Sequence, residues 1–204
     1  MTSPRPLSAP RIEVRLAGSG GQGIILAGLV LSEAAGVFDC RQVAMVQSYG
    51  PEARGGASKA EIIISDAPID YPLCIQVDLL LAMTQEASDA YCWDLKPAAW
   101  VIVDRDLVPH PPTSRAIPLP LTTTARDRLK SPMAANMVAL GAISEITGLV
   151  SRRSLEKALE RHLSADTTAV NKKALSLGIR IAGDYIRTAR VIDATEAPIE
   201  PEDM

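Results

Sequence analysis

Gly18-Ser19-Gly20-Gly21-Gln22-Gly23 lies between two apolar runs. Before it stands Ile12-Glu13-Val14-Arg15-Leu16-Ala17, short and containing β-branched residues. After it stands Ile24-Ile25-Leu26-Ala27-Gly28-Leu29-Val30-Leu31. The first run reads as a strand, the second as a buried helix closed near Gly36. Strand, glycine turn and helix are the opening unit of a doubly wound α/β domain. Such a turn favours an anion. Glycines let the backbone approach closely, and a helix start presents free N–H groups at the positive end of its dipole.

Gly18-x-Gly20-x-x-Gly23 fits the pattern G-x-G-x-x-G, which in a dinucleotide site is followed about 20 residues on by an acidic residue. Asp39 stands in Phe38-Asp39-Cys40, ahead of the next strand and not at its end, and the turn carries no Walker lysine. Three readings stay open on the motif alone: tight strand-to-helix packing, a phosphate-bearing ligand, or a nicotinamide site.

The 204 residues suffice for one substantial domain and not comfortably for two. The chain is 47% hydrophobic but only 3% aromatic, so its core is aliphatic, as suits parallel strands between helices. A net charge of −3 gives no electrostatic case for nucleic acid or a membrane surface. Met1 to Pro10 is polar and proline-rich, unlike a secretory signal, and no apolar run reaches the roughly 18 residues of a membrane span. The expected location is cytoplasmic. Cys40, Cys74 and Cys92 are scattered without a C-x-x-C, so the chain alone supplies neither an iron–sulfur cluster nor a structural zinc. They read as small core hydrophobes. His110 and His162 form no metal pair on spacing. His162 follows Leu155 and Leu159 on the apolar side of a short helix and reads as a core-edge residue.

The chain divides into a flexible arm, 1–11, a single α/β domain, 12–190, and a disordered acidic tail, 191–204. Strands are expected at Gln42–Val46, Ala57–Ser65, Val77–Met83 and Trp100–Asp104, with a short edge strand in Ser114–Leu119, where Pro118 forbids central pairing. Ser58, Lys59 and Glu61 do not alternate cleanly, so one end of the Ala57–Ser65 strand is expected to be exposed. Thr84 caps a helix from Gln85 to about Trp93. A helix from Met133 to Thr147 follows Pro132, with Ser131 as its cap, and stops at Gly148. Another covers Ser154–Leu163. A third, Thr168–Arg187, carries the stripe Leu175, Ile179, Ala182, Ile186. The fold class is α/β: a Rossmann-like doubly wound, mostly parallel sheet with a helical C-terminal region.

Gln47 to Gly56 is a loop broken by Gly-Pro and Gly-Gly, and it is longer than most connections, as functional loops often are. Arg54 stands in it beside Gly55 and Gly56. In a doubly wound sheet the loops at the carboxyl ends of the strands line the ligand crevice. Gly20, Gly21, Gln22 and Gly23 are therefore expected to meet Arg54, Gly55, Gly56, Thr84 and Gln85 at one edge. Arg54 suits a phosphate contact, a contact with a partner chain, or neither. No catalytic set is present: there is no G-x-S-x-G and no H-E-x-x-H. Asp104 and Asp106, near a strand end, read as acids or as loop caps.

Five segments together resemble one family. They are Gly18–Gly23, Gln47-Ser48-Tyr49-Gly50-Pro51-Glu52-Ala53-Arg54-Gly55-Gly56-Ala57-Ser58-Lys59-Ala60-Glu61, Ile69-Asp70-Tyr71-Pro72, Ala82-Met83-Thr84-Gln85-Glu86-Ala87 and Asn136-Met137-Val138-Ala139-Leu140-Gly141. They look like the gamma subunit of 2-oxoacid:ferredoxin oxidoreductases over roughly residues 12–185. The Gln-Ser-Tyr-Gly-Pro-Glu form is most similar to the 2-oxoglutarate type. Pyruvate, branched-chain oxoacid and indolepyruvate types are the alternatives within the family. The resemblance implies one part of a complex that turns 2-oxoglutarate, CoA and oxidised ferredoxin into succinyl-CoA, CO2 and reduced ferredoxin. It implies alpha and beta subunits, and in some complexes a delta subunit, as partners, with ferredoxin reached through the complex. Thiamine diphosphate with its Mg and the iron–sulfur clusters belong to those partners. The gamma domain packs beside the thiamine diphosphate site and contributes to CoA binding, and the isolated chain is expected to be inactive. The alternative of another class is an independent Rossmann-type dinucleotide-binding oxidoreductase.

Overall fold

The computed structural model describes residues 9–48 and 57–195, with side chains of the last helix as far as residue 189. Six strands are present among the described residues: β1 (Arg11–Ser19), β2 (Gln42–Ser48), β3 (Ala57–Ser65), β4 (Val77–Ala82), β5 (Leu95–Asp104) and β6 (Ile117–Leu119). The α-helices are α1 (Ile24–Glu33), α2 (Gln85–Tyr91), α3 (Leu121–Leu129), α4 (Ala135–Thr147), α5 (Arg152–His162) and α6 (Ala165–Thr195). The strands form one sheet in the order β2-β3-β1-β4-β5-β6. β1, β4, β5 and β6 pair in parallel, while β3 is antiparallel to both β1 and β2. Only β3 is reversed, so β2 points the same way as β1. Residues 49–56 are too few for the crossover of a dozen or more residues that a parallel β2–β3 pair needs.

Even-numbered residues of β1, such as Ile12, Val14 and Leu16, face a core shared with α1, α3, α4, α5 and α6. The opposite face carries a smaller core of Ala17, Leu80, Ala82, Val101 and Val103 against α2 and its neighbouring loops. Helices thus lie on both faces of a mostly parallel sheet, as a doubly wound fold requires. β3 has no exposed end. It lies between two strands, its Ser58 hydroxyl donates to the Gly18 carbonyl at 3.2 Å, and Glu61 is buried against Arg15. Its polar residues break the alternation because they meet partners inside the fold.

The first helix does not close at Gly36. It passes through a π-helical turn, Ala34–Phe38, and ends before Cys40, whose φ is +56°. That left-handed turn leaves Cys40 exposed rather than in the core. Thr84 caps α2 as expected, its hydroxyl accepting from the Ala87 N–H at 3.3 Å. Ser131 occupies the position before the 3-10 turn Pro132–Ala134 but makes no side-chain cap bond. Helix α3 has no counterpart in the sequence reading. Its three threonines are poor helix formers. Asp104, fully buried at the end of β5, accepts from the Thr122 N–H at 2.9 Å and supplies the missing cap.

Helices α4 and α6 make the closest helix pairing. A Cβ at Gly141 would stand 3.0 Å from the Cα of Leu175, and one at Gly178 would stand 2.9 Å from the Ala142 nitrogen. Only glycine permits that backbone approach. α6 is longer than its apolar stripe indicated. It runs to Thr195, so residues 191–195, expected in the acidic tail, are helical, and 196–204 lie outside the described residues.

Candidate functional site

The glycine turn stands at the carboxyl edge of the sheet, at the end of β1. Gly23 is the residue before α1 and has φ +71°, the left-handed region that favours glycine. Its carbonyl accepts from the Ala27 N–H at 3.0 Å and from Asn136 Nδ2 at 2.9 Å. Asn136 is buried, at the start of α4, and its Oδ1 accepts from the Met137 N–H at 2.8 Å. One amide thus ties α4 to the start of α1. Gln22 braces the turn from the other side. Its Oε1 accepts from the Ser19 N–H at 2.8 Å, and its Nε2 donates to the Met83 carbonyl at 3.4 Å. A Cβ at Gly18 would stand 3.0 Å from Ile24, whereas Gly20 and Gly21 have nothing within 4 Å of a Cβ. Gly18 and Gly23 serve packing. Gly20 and Gly21 are exposed and meet no side chain among the described residues.

Met83 leads from β4 into the same edge, its N–H donating to the Ala17 carbonyl at 2.9 Å. Thr84 spends its hydroxyl on the α2 cap. The Gln85 amide is also engaged: Nε2 donates to Asp89 Oδ1 at 2.7 Å and to the His110 carbonyl at 2.9 Å, and Oε1 accepts from the His110 N–H at 2.9 Å. Ser19 is opposite Ala57, and Ser48 opposite Lys59. The chain therefore leaves β2 and re-enters β3 at the edge that holds the glycine turn. Arg54, Gly55 and Gly56 lie outside the described residues. The structure places Gly20, Gly21, Gln22, Gly23, Thr84 and Gln85 at one edge of the sheet, and gives the two ends of the Arg54 loop the same edge.

Asp39 stands at the far edge, where its Oδ1 accepts from Ser154 Oγ of α5 at 2.5 Å. It is therefore not at the carboxyl edge, where a ribose-binding carboxylate would stand. Asp104 and Asp106 act as loop caps. Asp104 accepts from the Asp106 and Thr122 N–H groups, and Asp106 Oδ2 accepts from Thr123 Oγ1 at 2.5 Å. His162 pairs with Glu33 at the end of α1, beside Arg161 at 2.8 Å from the same carboxylate. Among the described residues no group of three or more His, Cys, Asp or Glu side chains is placed to hold a metal. The cysteines do not fit a cluster. Burial pushes the Cys74 thiol up to about 12, the opposite of an activated or metal-ligating thiol. No helix among the described residues is long and apolar enough to cross a membrane.

On the α2 face of the sheet lies a charge cluster that the sequence reading missed. Arg15 is only 4% exposed, yet every guanidinium N–H has a partner. Nε and Nη2 donate to Glu61 Oε1 at 2.8 and 2.6 Å, Nη2 also to Asp94 Oδ2 at 2.7 Å, and Nη1 to Asp94 Oδ1 and to the Tyr91 carbonyl at 3.1 Å. Lys59 Nζ is 3.0 Å from the same Glu61 oxygen. Burial alone would lower the Arg15 pKa, but the hydrogen bonds to Asp94 and Glu61 outweigh it and raise the value. The hydrogen bonds from Arg15 hold the Asp94 carboxyl below the ordinary carboxylate range. Beside Arg15 on the same strand face, Glu13 Oε2 accepts from the Ile75 and Gln76 N–H groups at 2.5 and 2.9 Å. The signal was present: Glu13, Arg15, Lys59 and Glu61 are opposite charges at alternate positions of two otherwise apolar strands. The cluster pins the loops on the α2 face to the sheet.

Fold and site together define a doubly wound α/β domain with a braced glycine turn at its carboxyl edge. The chain belongs to the pyruvate ferredoxin/flavodoxin oxidoreductase family, whose model matches residues 13–181. It is 44% identical over 176 residues to the 2-oxoglutarate synthase subunit KorC of Methanocaldococcus jannaschii, covering 84% of this chain and 94% of that one. Its fold matches the gamma subunit of a keto/oxoacid ferredoxin oxidoreductase from Geobacter sulfurreducens PCA, with TM-score 0.78 and 43% identity over 87% of this chain and 99% of that chain. It also matches a 2-oxoglutarate:ferredoxin oxidoreductase from Magnetococcus marinus, determined with 2-oxoglutarate, coenzyme A and succinyl-CoA bound. There the TM-score is 0.74 and the identity 25%, over 87% of this chain but only 32% of that longer one.

Proposed function

We propose that this chain is the gamma subunit of a 2-oxoglutarate:ferredoxin oxidoreductase, packing beside the thiamine diphosphate site of its partner subunits and contributing to CoA binding. The observation that carries the reading is the likeness to KorC along nearly the whole of both chains. One fact supports a part rather than a whole enzyme: the Magnetococcus chain holds an equivalent domain as about a third of its length. Thiamine diphosphate, its Mg and the iron–sulfur clusters are assigned to alpha, beta and delta partners, and ferredoxin meets the complex through them. The partners and this chain act in the cytoplasm.

The CoA role rests on the carboxyl edge. Among the described residues nothing packs on Gly20 and Gly21 before the α1 start, and the loop bearing Arg54, Gly55 and Gly56 begins and ends at that edge. Backbone N–H groups and a guanidinium are phosphate ligands, and CoA carries phosphates while the oxoacid has none. The Gln22, Thr84 and Gln85 side chains shape this edge and are already engaged with the protein. The test is Arg54→Ala in the complex assembled with its partners, with assembly first confirmed by size. The apparent KM for CoA should rise roughly 10- to 150-fold, the equivalent of about 1.5–3 kcal/mol, with that for 2-oxoglutarate unchanged. Equal rises for both substrates would refute the CoA role. Failure of the chain to copurify with any larger partner would refute the subunit assignment.

A further inference from the structure

Among the described residues the sheet has two edges, and only one is protected. β6 is three residues long and contains Pro118, two devices that stop another strand from adding. β2 has neither. Its seven residues, Gln42-Val43-Ala44-Met45-Val46-Gln47-Ser48, carry no charge, no proline and no glycine. Among the described residues β2 pairs with β3 alone, so its outer row of backbone N–H and C=O groups is open. Val43, Ala44, Met45 and Val46 are apolar on both faces and only half-buried, the pattern of an interior strand at an edge position. Gly28 of α1 lies against Met45 and Gly36 of the π-helical turn against Val43, and the residues that follow them in the chain, Leu29 at 41% and Val37 at 52%, are exposed apolar side chains.

We propose that β2 pairs antiparallel with β2 of a second copy of this chain, about a two-fold axis at Met45, joining two six-stranded sheets into one. The lack of charge in the strand favours a second copy as the occupant. The register that uses all seven residues sets Gln42 opposite Ser48, Val43 opposite Gln47, Ala44 opposite Val46 and Met45 opposite itself. A two-fold contact repeats the same patch on both sides, so any charge in it would meet its like. This strand has none. An edge that selected a charged partner would carry the complementary sign. Leu29 and Val37 of the two copies extend the contact beyond the backbone ladder toward the roughly 1,000 Å² that a stable interface needs.

The test is light scattering of the full chain over a concentration series, with amide hydrogen exchange in β2. The unsubstituted chain should reach twice the monomer mass, with β2 amides more protected as concentration rises. Gln47→Lys, at an exposed position that should leave folding intact, and Ala44→Lys should each weaken the dimer at least about tenfold and remove that protection. A chain that stays monomeric at every concentration would overturn the proposal. So would a dimer that tolerates both lysines. Dimerisation appearing only after deletion of residues 1–8 would assign the edge to this chain's own arm. Crosslinking of β2 to a partner subunit in the assembled complex, with no β2–β2 product, would assign it to that subunit.

Discussion

Gly178 of α6 lies against the carbonyl oxygen of Val138 on α4, so closely that a Cβ at 178 would overlap it. The colliding atoms belong to a backbone and cannot swing aside. Gly178→Ala should therefore separate the helices and destabilise the fold by about 1–3 kcal/mol or more. At Gly183, five residues further on, an added Cβ would meet only the Glu145 carboxylate, at 3.7 Å. There the same substitution should gain about 0.5–1 kcal/mol of helix propensity. Opposite signs in denaturant unfolding are the expected result, and equal effects would mean that α4 and α6 do not approach as described.

Arg15→Met should be the most damaging change on the α2 face. It leaves Glu61 with Lys59 alone and the part-exposed Asp94 without its main partner, so the loss should approach, without exceeding, the roughly 3–5 kcal/mol of a broken buried ion pair. Arg15→Lys should rescue little, because a lysine cannot reproduce five fixed donors at Glu61, Asp94 and the Tyr91 carbonyl. Urea unfolding of the three proteins gives the comparison. Full stability in the lysine variant would show that charge alone suffices.

The same cluster makes stability depend on acid. The Asp94 carboxyl is held low by the hydrogen bonds from Arg15. A lowered folded-state pKa stabilises above the unfolded value, about 3.9, and that contribution fades as pH falls through the folded value. Asp94→Asn should therefore cost stability near neutral pH, and the difference from the parent should shrink below about pH 4. A gap that stays constant down to acid unfolding would remove Asp94 from the ion pair.

Gly23 and Asn136 should be coupled. Gly23→Ala places a Cβ at φ +71° and against the Asn136 amide, so it should cost about 1–3 kcal/mol. Asn136→Ala removes the hydrogen bond to the Gly23 carbonyl and should cost about 1 kcal/mol. The double variant should lose less than the sum, because the smaller side chain removes the clash. Strict additivity in thermal unfolding would separate the two residues.

The sequence by itself determined the local units. A glycine run between a strand-like and a helix-like apolar segment sets a turn at 18–23. Val77–Ala82, apolar but for Asp78, makes a buried strand, Pro118 marks an edge, and Gly148 ends α4 at φ +63°. These follow from backbone sterics and short-range periodicity, which a sequence states directly. The family resemblance rested on the same kind of local motif. Tertiary structure decided whatever depends on partners distant in the chain. β3 runs antiparallel because of the strands it joins. Glu61 is buried because Arg15 is opposite it in β1, and α3 is helical because Asp104 caps it. Gly141 and Gly178, 37 positions apart, are glycines because the helices that carry them touch backbone to backbone. The glycine turn divides in the same way. Its conformation was legible at once. That Gly18 and Gly23 pack inward depended on where Ile24 and Asn136 came to stand. Burial and pairing are properties of the assembled chain, and no local pattern encodes which distant atoms will supply them.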